Sequence, residues 1–118
     1  MIVRQAEVVP FDFYGLEIRD YTARQEGSSS VAEIIVPGGA GHPEAWSKRS
    51  DKYYYLISGQ ILFNIDGDPI TLNAGDLCVI KKGQHFSYSN NSVEPARMIL
   101  VHTPSFDLES EVIMEYKA

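Results

Sequence analysis

Between residues 52 and 90 the chain alternates short apolar runs with glycine-bearing turns. The runs at 53–58 (YYYLIS), 60–65 (QILFNI), 69–72 (PITL), 77–80 (LCVI) and 84–89 (QHFSYS) carry the aromatic and aliphatic residues that suit a pleated, half-buried surface, and they predict five strands. Ser58-Gly59, Asp66-Gly67, Ala74-Gly75-Asp76 and Lys82-Gly83 separate them. Glycine at each break lets the chain reverse through positive φ without a Cβ clash. Strand and turn at such short intervals predict an all-β sandwich or barrel.

The rest of the chain reads outward from that stretch. Residues 16–26 (LEIRDYTARQE) alternate Leu16 and Ile18 with Glu17 and Arg19, the period of a strand, and 27–30 (GSSS) break it as a loop. A further strand, 31–36 (VAEIIV), ends at Pro37-Gly38-Gly39-Ala40-Gly41, because proline cannot continue a central ladder. His42 to Asp51 reads as a polar surface segment around one large aromatic, Trp46. Downstream, 91–94 form a polar loop and 96–102 (ARMILVH) a last clear strand, stopped by Thr103-Pro104-Ser105. Two segments show no decisive period: 1–10 reads as an edge strand or an arm onto a neighbouring subunit, and 111–116 (EVIMEY) as a short strand or a helical turn.

A length of 118 residues predicts one domain, 1–118, with its motif-bearing core at about 41–104. Sixteen acidic against ten basic side chains give a formal charge of −6, a field that repels phosphate backbones, so nucleic acid is not expected as a partner. No apolar run approaches the ~20 residues that span a bilayer, and MIVRQAEVV lacks the apolar core of a secretory signal; no membrane partner and a cytoplasmic address are the expectations. The single cysteine, Cys78, lies in an apolar strand and reads as a buried structural thiol.

The order of glycine-punctuated hairpins, YYYLISGQILFNIDG followed by LNAGDLCVIKKGQHFSYSN, resembles the two motif regions of the small single-domain cupins, over residues 41 to 90, and LVHTPSFD resembles their closing strand. The resemblance implies a double-stranded β-helix, the cupin or jelly-roll barrel: two antiparallel sheets rolled together with a pocket at one end. It also implies one metal, held in many members by two histidines and a glutamate from the first motif and a histidine from the second. Counted back from Gly59, the glutamate position falls on Lys52, and the histidine positions on Ala45 and Ser47, or on Trp46 and Lys48. In the second motif Gly75, Gly83 and Asn90 fit, but the histidine position is Phe86, and His85, one residue earlier, points to the opposite strand face.

A divalent transition ion needs several donors converging at roughly 2.0–2.3 Å, and an ammonium at the glutamate position repels it. No metal is therefore expected at the usual positions, and no cofactor. A relocated divalent site could draw on His42, Glu44, Asp51, His85 and His102, although ligand pairs at recognisable spacing are missing.

Strand parity outlines a ligand-binding pocket instead. Lys52 and Tyr54 share one inward face, Phe86 and Tyr88 another, with His102 on the closing strand and Trp46 over the mouth. Lys52 reads as an anion anchor, as a desolvated amine, or as a structural lysine paired with an acid such as Glu33. Tyr53, Tyr54 and Tyr55 must alternate in facing, so the strand is apolar on both faces, and a homodimer is expected to cover the outer one. The leading functional expectation is a metal-independent, small-molecule-binding cupin for a small polar or anionic metabolite, a sugar or carboxylate. The alternative is an enzyme, either an acid–base sugar isomerase or epimerase or a metal-dependent member with relocated ligands. A titratable pair within reach in the pocket, such as His102 with Tyr88 or Tyr54, separates the two.

Overall fold

The computed structural model describes residues 1–22 and 27–114. Its strands in chain order are β1 (Phe11–Phe13), β2 (Leu16–Asp20), β3 (Ser30–Val36), β4 (Gly41–Ser47), β5 (Asp51–Ser58), β6 (Gln60–Ile65), β7 (Asp68–Asn73), β8 (Leu77–Ile80), β9 (Phe86–Ser89), β10 (Ala96–Thr103) and β11 (Glu111–Ile113). They form two sheets, β1-β2-β3-β10-β5-β8 and β11-β4-β9-β6-β7, with every pair antiparallel. Among the described residues no helix is long and apolar enough to cross a membrane.

Period-2 alternation decides what goes inside. On β5, Lys52, Tyr54 and Leu56 are buried while Tyr55 is exposed; on β10, Ala96, Met98, Leu100 and His102 are buried. Toward Leu56, Met98 and Val36 the space between the sheets is filled by apolar side chains, joined by Ile61 and Phe63. Toward Lys52, His102 and Ser30, at the other end of the same strands, it opens into a cavity. Gly59 makes the filled end possible: its φ is +87°, and a Cβ there would meet Ala96 Cα at 2.8 Å.

Asn90, fully buried, ties the turn after β9 to the end of β3. Its Nδ2 donates to the carbonyls of Val36 (3.0 Å) and Glu94 (2.7 Å), and its Oδ1 accepts from Ser92 N (3.0 Å) and Ser92 Oγ (2.8 Å).

The structure corrects several expectations. Residues 42–51 are not a surface segment: Gly41–Ser47 is β4, held between β11 and β9 in the five-stranded sheet, and Asp51 already belongs to β5. Small Ala45 and Ser47 point inward, so the segment lacks the hydrophobic signature of a strand. Pro43 is tolerated because the register with β9 shifts between His42 and Ala45, where no ladder N–H is required. The strand predicted over 16–26 stops at Asp20, whose Oδ1 accepts from Thr22 N to start a turn; residues 23–26 lie outside the described part. Residues 1–10 form no strand but a short 3-10 turn, Gln5–Glu7, and β1 follows them. The 111–116 segment resolves as strand β11 over Glu111–Ile113, its last two residues lying outside the described part.

Replacing Asn90 by alanine removes a donor from two backbone carbonyls and the acceptor of a loop amide at once. Asn90→Ala is expected to lower unfolding stability by about 2–4 kcal/mol in a urea titration. A loss below ~1 kcal/mol would show that this network holds nothing together.

Candidate functional site

Lys52 and His102 meet because they stand opposite each other in the β5–β10 register with both side chains inward. Lys52 Nζ lies 2.8 Å from His102 Nε2 and donates to Glu111 Oε1, while His102 Nε2 and Glu111 Oε1 are 3.9 Å apart. Glu111 arrives from β11, which pairs with β4 and closes one side of the barrel. Since the ammonium can only donate, His102 accepts at Nε2 and carries its proton on Nδ1.

These groups floor a cavity of about 300 Å³, reached past the aromatic side chains of Phe11, Phe13 and Phe106. His42 enters from β4, opposite Tyr88 in the ladder, with ring centroids 5.3 Å from Tyr88 and 5.0 Å from Phe86. Its Nδ1 is 2.7 Å from the Pro43 carbonyl, an acceptor, so Nδ1 carries the proton. Nε2 is left as the lone-pair nitrogen, without a hydrogen-bond partner among the described residues. Tyr88 Oη, also buried at the cavity, has no partner there either.

Burial controls the protonation of this floor. It pushes His42 down to about 4, opposed by the Pro43 hydrogen bond and assisted by the Lys52 charge. It pushes His102 down to about 3, again with Lys52 adding to the effect. Both imidazoles are neutral at pH 7. Burial also lowers Lys52, while the Glu111 carboxylate pulls it back up, and it raises the phenols of Tyr54 and Tyr88. Cys78, buried in β8, is raised to about 11 by burial, as an inert thiol would be.

Of the residues singled out in the sequence, Lys52, Tyr54, Tyr88 and His102 line the cavity, and Phe86 is buried behind it with its ring centroid 5.6 Å from Lys52 Nζ. Trp46 does not cover the mouth: it shares the outward parity of β4 and stacks on His85 at 5.8 Å outside the barrel. Of the relocated metal candidates, His42 and His102 share the cavity lining and the other three do not join them. His42 lines the cavity, but Glu44 is exposed beside His85, and Asp51 is engaged with Lys82 N and Lys81 at a turn. Among the described residues no three His, Cys, Asp or Glu side chains are grouped to hold a metal. Glu33 is not the partner of Lys52 either; it faces outward and pairs with Arg97 and Arg19. The true partner, Glu111, lies 59 residues from Lys52 in a segment with no clear period.

The metal implied by a cupin barrel does not fit this floor. An ammonium already sits between the histidine and the carboxylate, and a divalent ion would have to displace it.

The chain matches the cupin domain over residues 32–102, and it belongs to the cupin family. It is 27% identical over 77 residues to the tetracenomycin polyketide synthase protein TcmJ of Streptomyces glaucescens. That match covers 65% of this chain but only 52% of TcmJ, about half its length. Among solved structures, Pac13, a nucleoside dehydratase, superposes with a TM-score of 0.86 at 22% identity, covering all of this chain and 93% of Pac13. A Streptomyces Pac13 variant with glutamine in place of a histidine, solved with uridine, gives 0.85 at 22% identity over 99% of this chain and 92% of that one. A predicted oxalate decarboxylase from Thermotoga maritima gives 0.78 at 19% identity over 88% and 99% of the two chains. At these identities the structural likeness establishes the fold.

Both histidines bind protons near 6.5 when unfolded and only near 4 and 3 when folded, so the unfolded state takes up more protons as pH falls below 6.5. Their contribution is complete above that value and lost on acidification. From pH 7.5 to pH 5 each is expected to cost ~2 kcal/mol of stability. Urea titrations at the two pH values check this, and His102→Gln should remove about half of the slope. Equal stability at both pH values would mean that the imidazoles are solvated.

Proposed function

We propose that this chain is a metal-independent acid–base cupin that removes water from a small hydroxylated, ring-bearing substrate of the nucleoside or sugar kind, with His42 as the base. The observation that carries the reading is the His42 tautomer: Nδ1–H is committed to the Pro43 carbonyl, and the neutral Nε2 lone pair, beside the cavity, has no partner among the described residues. Tyr88 Oη, at the same wall and without a partner among the described residues, is the matching proton donor. Of the three Lys52 N–H bonds, two are taken by His102 and Glu111, and the third can donate to a substrate oxygen. His102 turns inward but is engaged by Lys52 rather than by Tyr88 or Tyr54, so in this reading the acid–base pair is His42 with Tyr88.

The step balances within these groups. A C–H bond breaks and its proton goes to His42 Nε2; the electron pair forms a C=C bond as the adjacent C–O bond breaks. The hydroxyl leaves as water with the Tyr88 proton, and the imidazolium then reprotonates the phenolate. The activity of Pac13, the same barrel seen with uridine bound, supports choosing dehydration over isomerisation. Apolar aromatic walls above a polar floor also suit a flat ring carrying a hydroxylated group.

Binding without turnover is the second reading, favoured by the low basicity of His42, at about 4. Nucleosides and sugars, with their aldehyde derivatives, screened by thermal shift and then by mass spectrometry for loss of one water, separate the two. The expected result is turnover by the wild type. His42→Gln should hold the ligand with affinity unchanged to within about threefold while turnover falls roughly 10²–10⁴-fold. Binding without turnover of any compound would leave a binding protein, and no binding at all would overturn both readings.

We also propose a homodimer through the outer face of the six-stranded sheet, where Tyr55, Ile57 and Leu77 are exposed next to Val79 and Ile99. Sedimentation is expected to give a dimer for the wild type and a monomer for Tyr55→Lys; a wild-type monomer would remove this face from consideration.

A further inference from the structure

We infer that the Lys52 ammonium is the built-in cation of this barrel: it occupies a coordination position between a histidine and a carboxylate, and it is what keeps a divalent metal out.

His102 Nε2 and Glu111 Oε1 are a nitrogen and an oxygen of the kind that bind zinc or cobalt, brought from β10 and β11 onto one point. They stand 3.9 Å apart, a separation that two ligands of one ion can take up at about 2.0–2.2 Å each with modest inward movement. Lys52 Nζ sits between them as an ion would, and the tautomer of His102 already presents a lone pair to it.

Side-chain length and charge both define the substitution that exposes the site. In a glutamate at position 52 a carboxylate oxygen falls where the lysine has Cε, one bond short of Nζ. An ion bound to that oxygen at about 2.0–2.2 Å therefore lies close to the present position of Nζ. Ammonium, Glu111 carboxylate and neutral His102 sum to zero charge, and so do a divalent ion, two carboxylates and neutral His102. Without the ion, Lys52→Glu puts two carboxylates together in a cavity that holds little water, which is unfavourable. Metal and lysine should thus be interchangeable, while their joint absence should not be tolerated.

The test is cobalt(II) and zinc(II) binding by the wild type, Lys52→Glu and Lys52→Ala, read by metal content after desalting, by cobalt absorption in the visible and by melting temperature. Lys52→Glu is expected to retain about one equivalent, to show the bands of a low-coordinate N/O cobalt site, and to melt at least ~5 °C higher with metal than without. The wild type should retain none, and Lys52→Glu combined with His102→Gln should lose retention. Lys52→Ala should bind more weakly than Lys52→Glu, because it supplies one ligand fewer. A Lys52→Glu chain that is unfolded alone and folds on adding the ion also supports the inference. Stoichiometric metal in the wild type would overturn it, as would a folded Lys52→Glu without affinity, or one unfolded with and without metal.

Discussion

Taking an ammonium group out of water is among the most costly things a fold can do, and this barrel does it at one end of its interior. Lys52 is tolerated there because β10 and β11 each bring an acceptor to the same nitrogen. Much else in the cavity follows from that placement. The positive charge helps keep His42 and His102 neutral, and His102 must carry its proton on Nδ1 in order to accept at Nε2. A barrel whose interior would otherwise be an apolar slot acquires fixed polarity: a donor at Lys52 and, among the described residues, an unpaired lone pair at His42 and an unpaired hydroxyl at Tyr88.

Parity is the reason the sequence speaks clearly about the strands at the centre of this arrangement. Tyr54 and Leu56 share a face with Lys52, and Tyr88 shares one with Phe86, so once one inward residue is fixed the rest are dictated. The runs at 60–65 and 77–80 carry enough hydrophobic contrast for their ends to coincide with those of β6 and β8. The same rule is silent about β4. β4 has alanine and serine at its inward positions and a proline at its bulge, so contrast vanishes although the strand lies inside a sheet. Trp46 looked like a pocket residue because it is large, but its parity faces outward, where pairing with β11 puts Val112 opposite it.

Glu111 was beyond the reach of periodicity for a different reason. A three-residue strand holds too few positions to display a period, and the contact it makes is specified by topology rather than by neighbouring sequence. His42 was visible as a donor but not as a base. What distinguishes those roles is which ring nitrogen holds the proton, and that depends on a carbonyl only one residue away but oriented by the bulge of β4.

The bulge at Pro43 therefore does more than interrupt a ladder. A backbone irregularity, ordinarily a matter of sheet curvature, here chooses between two isomers of an aromatic ring that differ only in the place of one hydrogen. The chemical identity of the cavity wall is thus written in main-chain geometry. A substitution that straightened β4 without touching any cavity side chain would take away the acceptor that holds the proton on Nδ1, and the wall would be free to present either a donor or an acceptor.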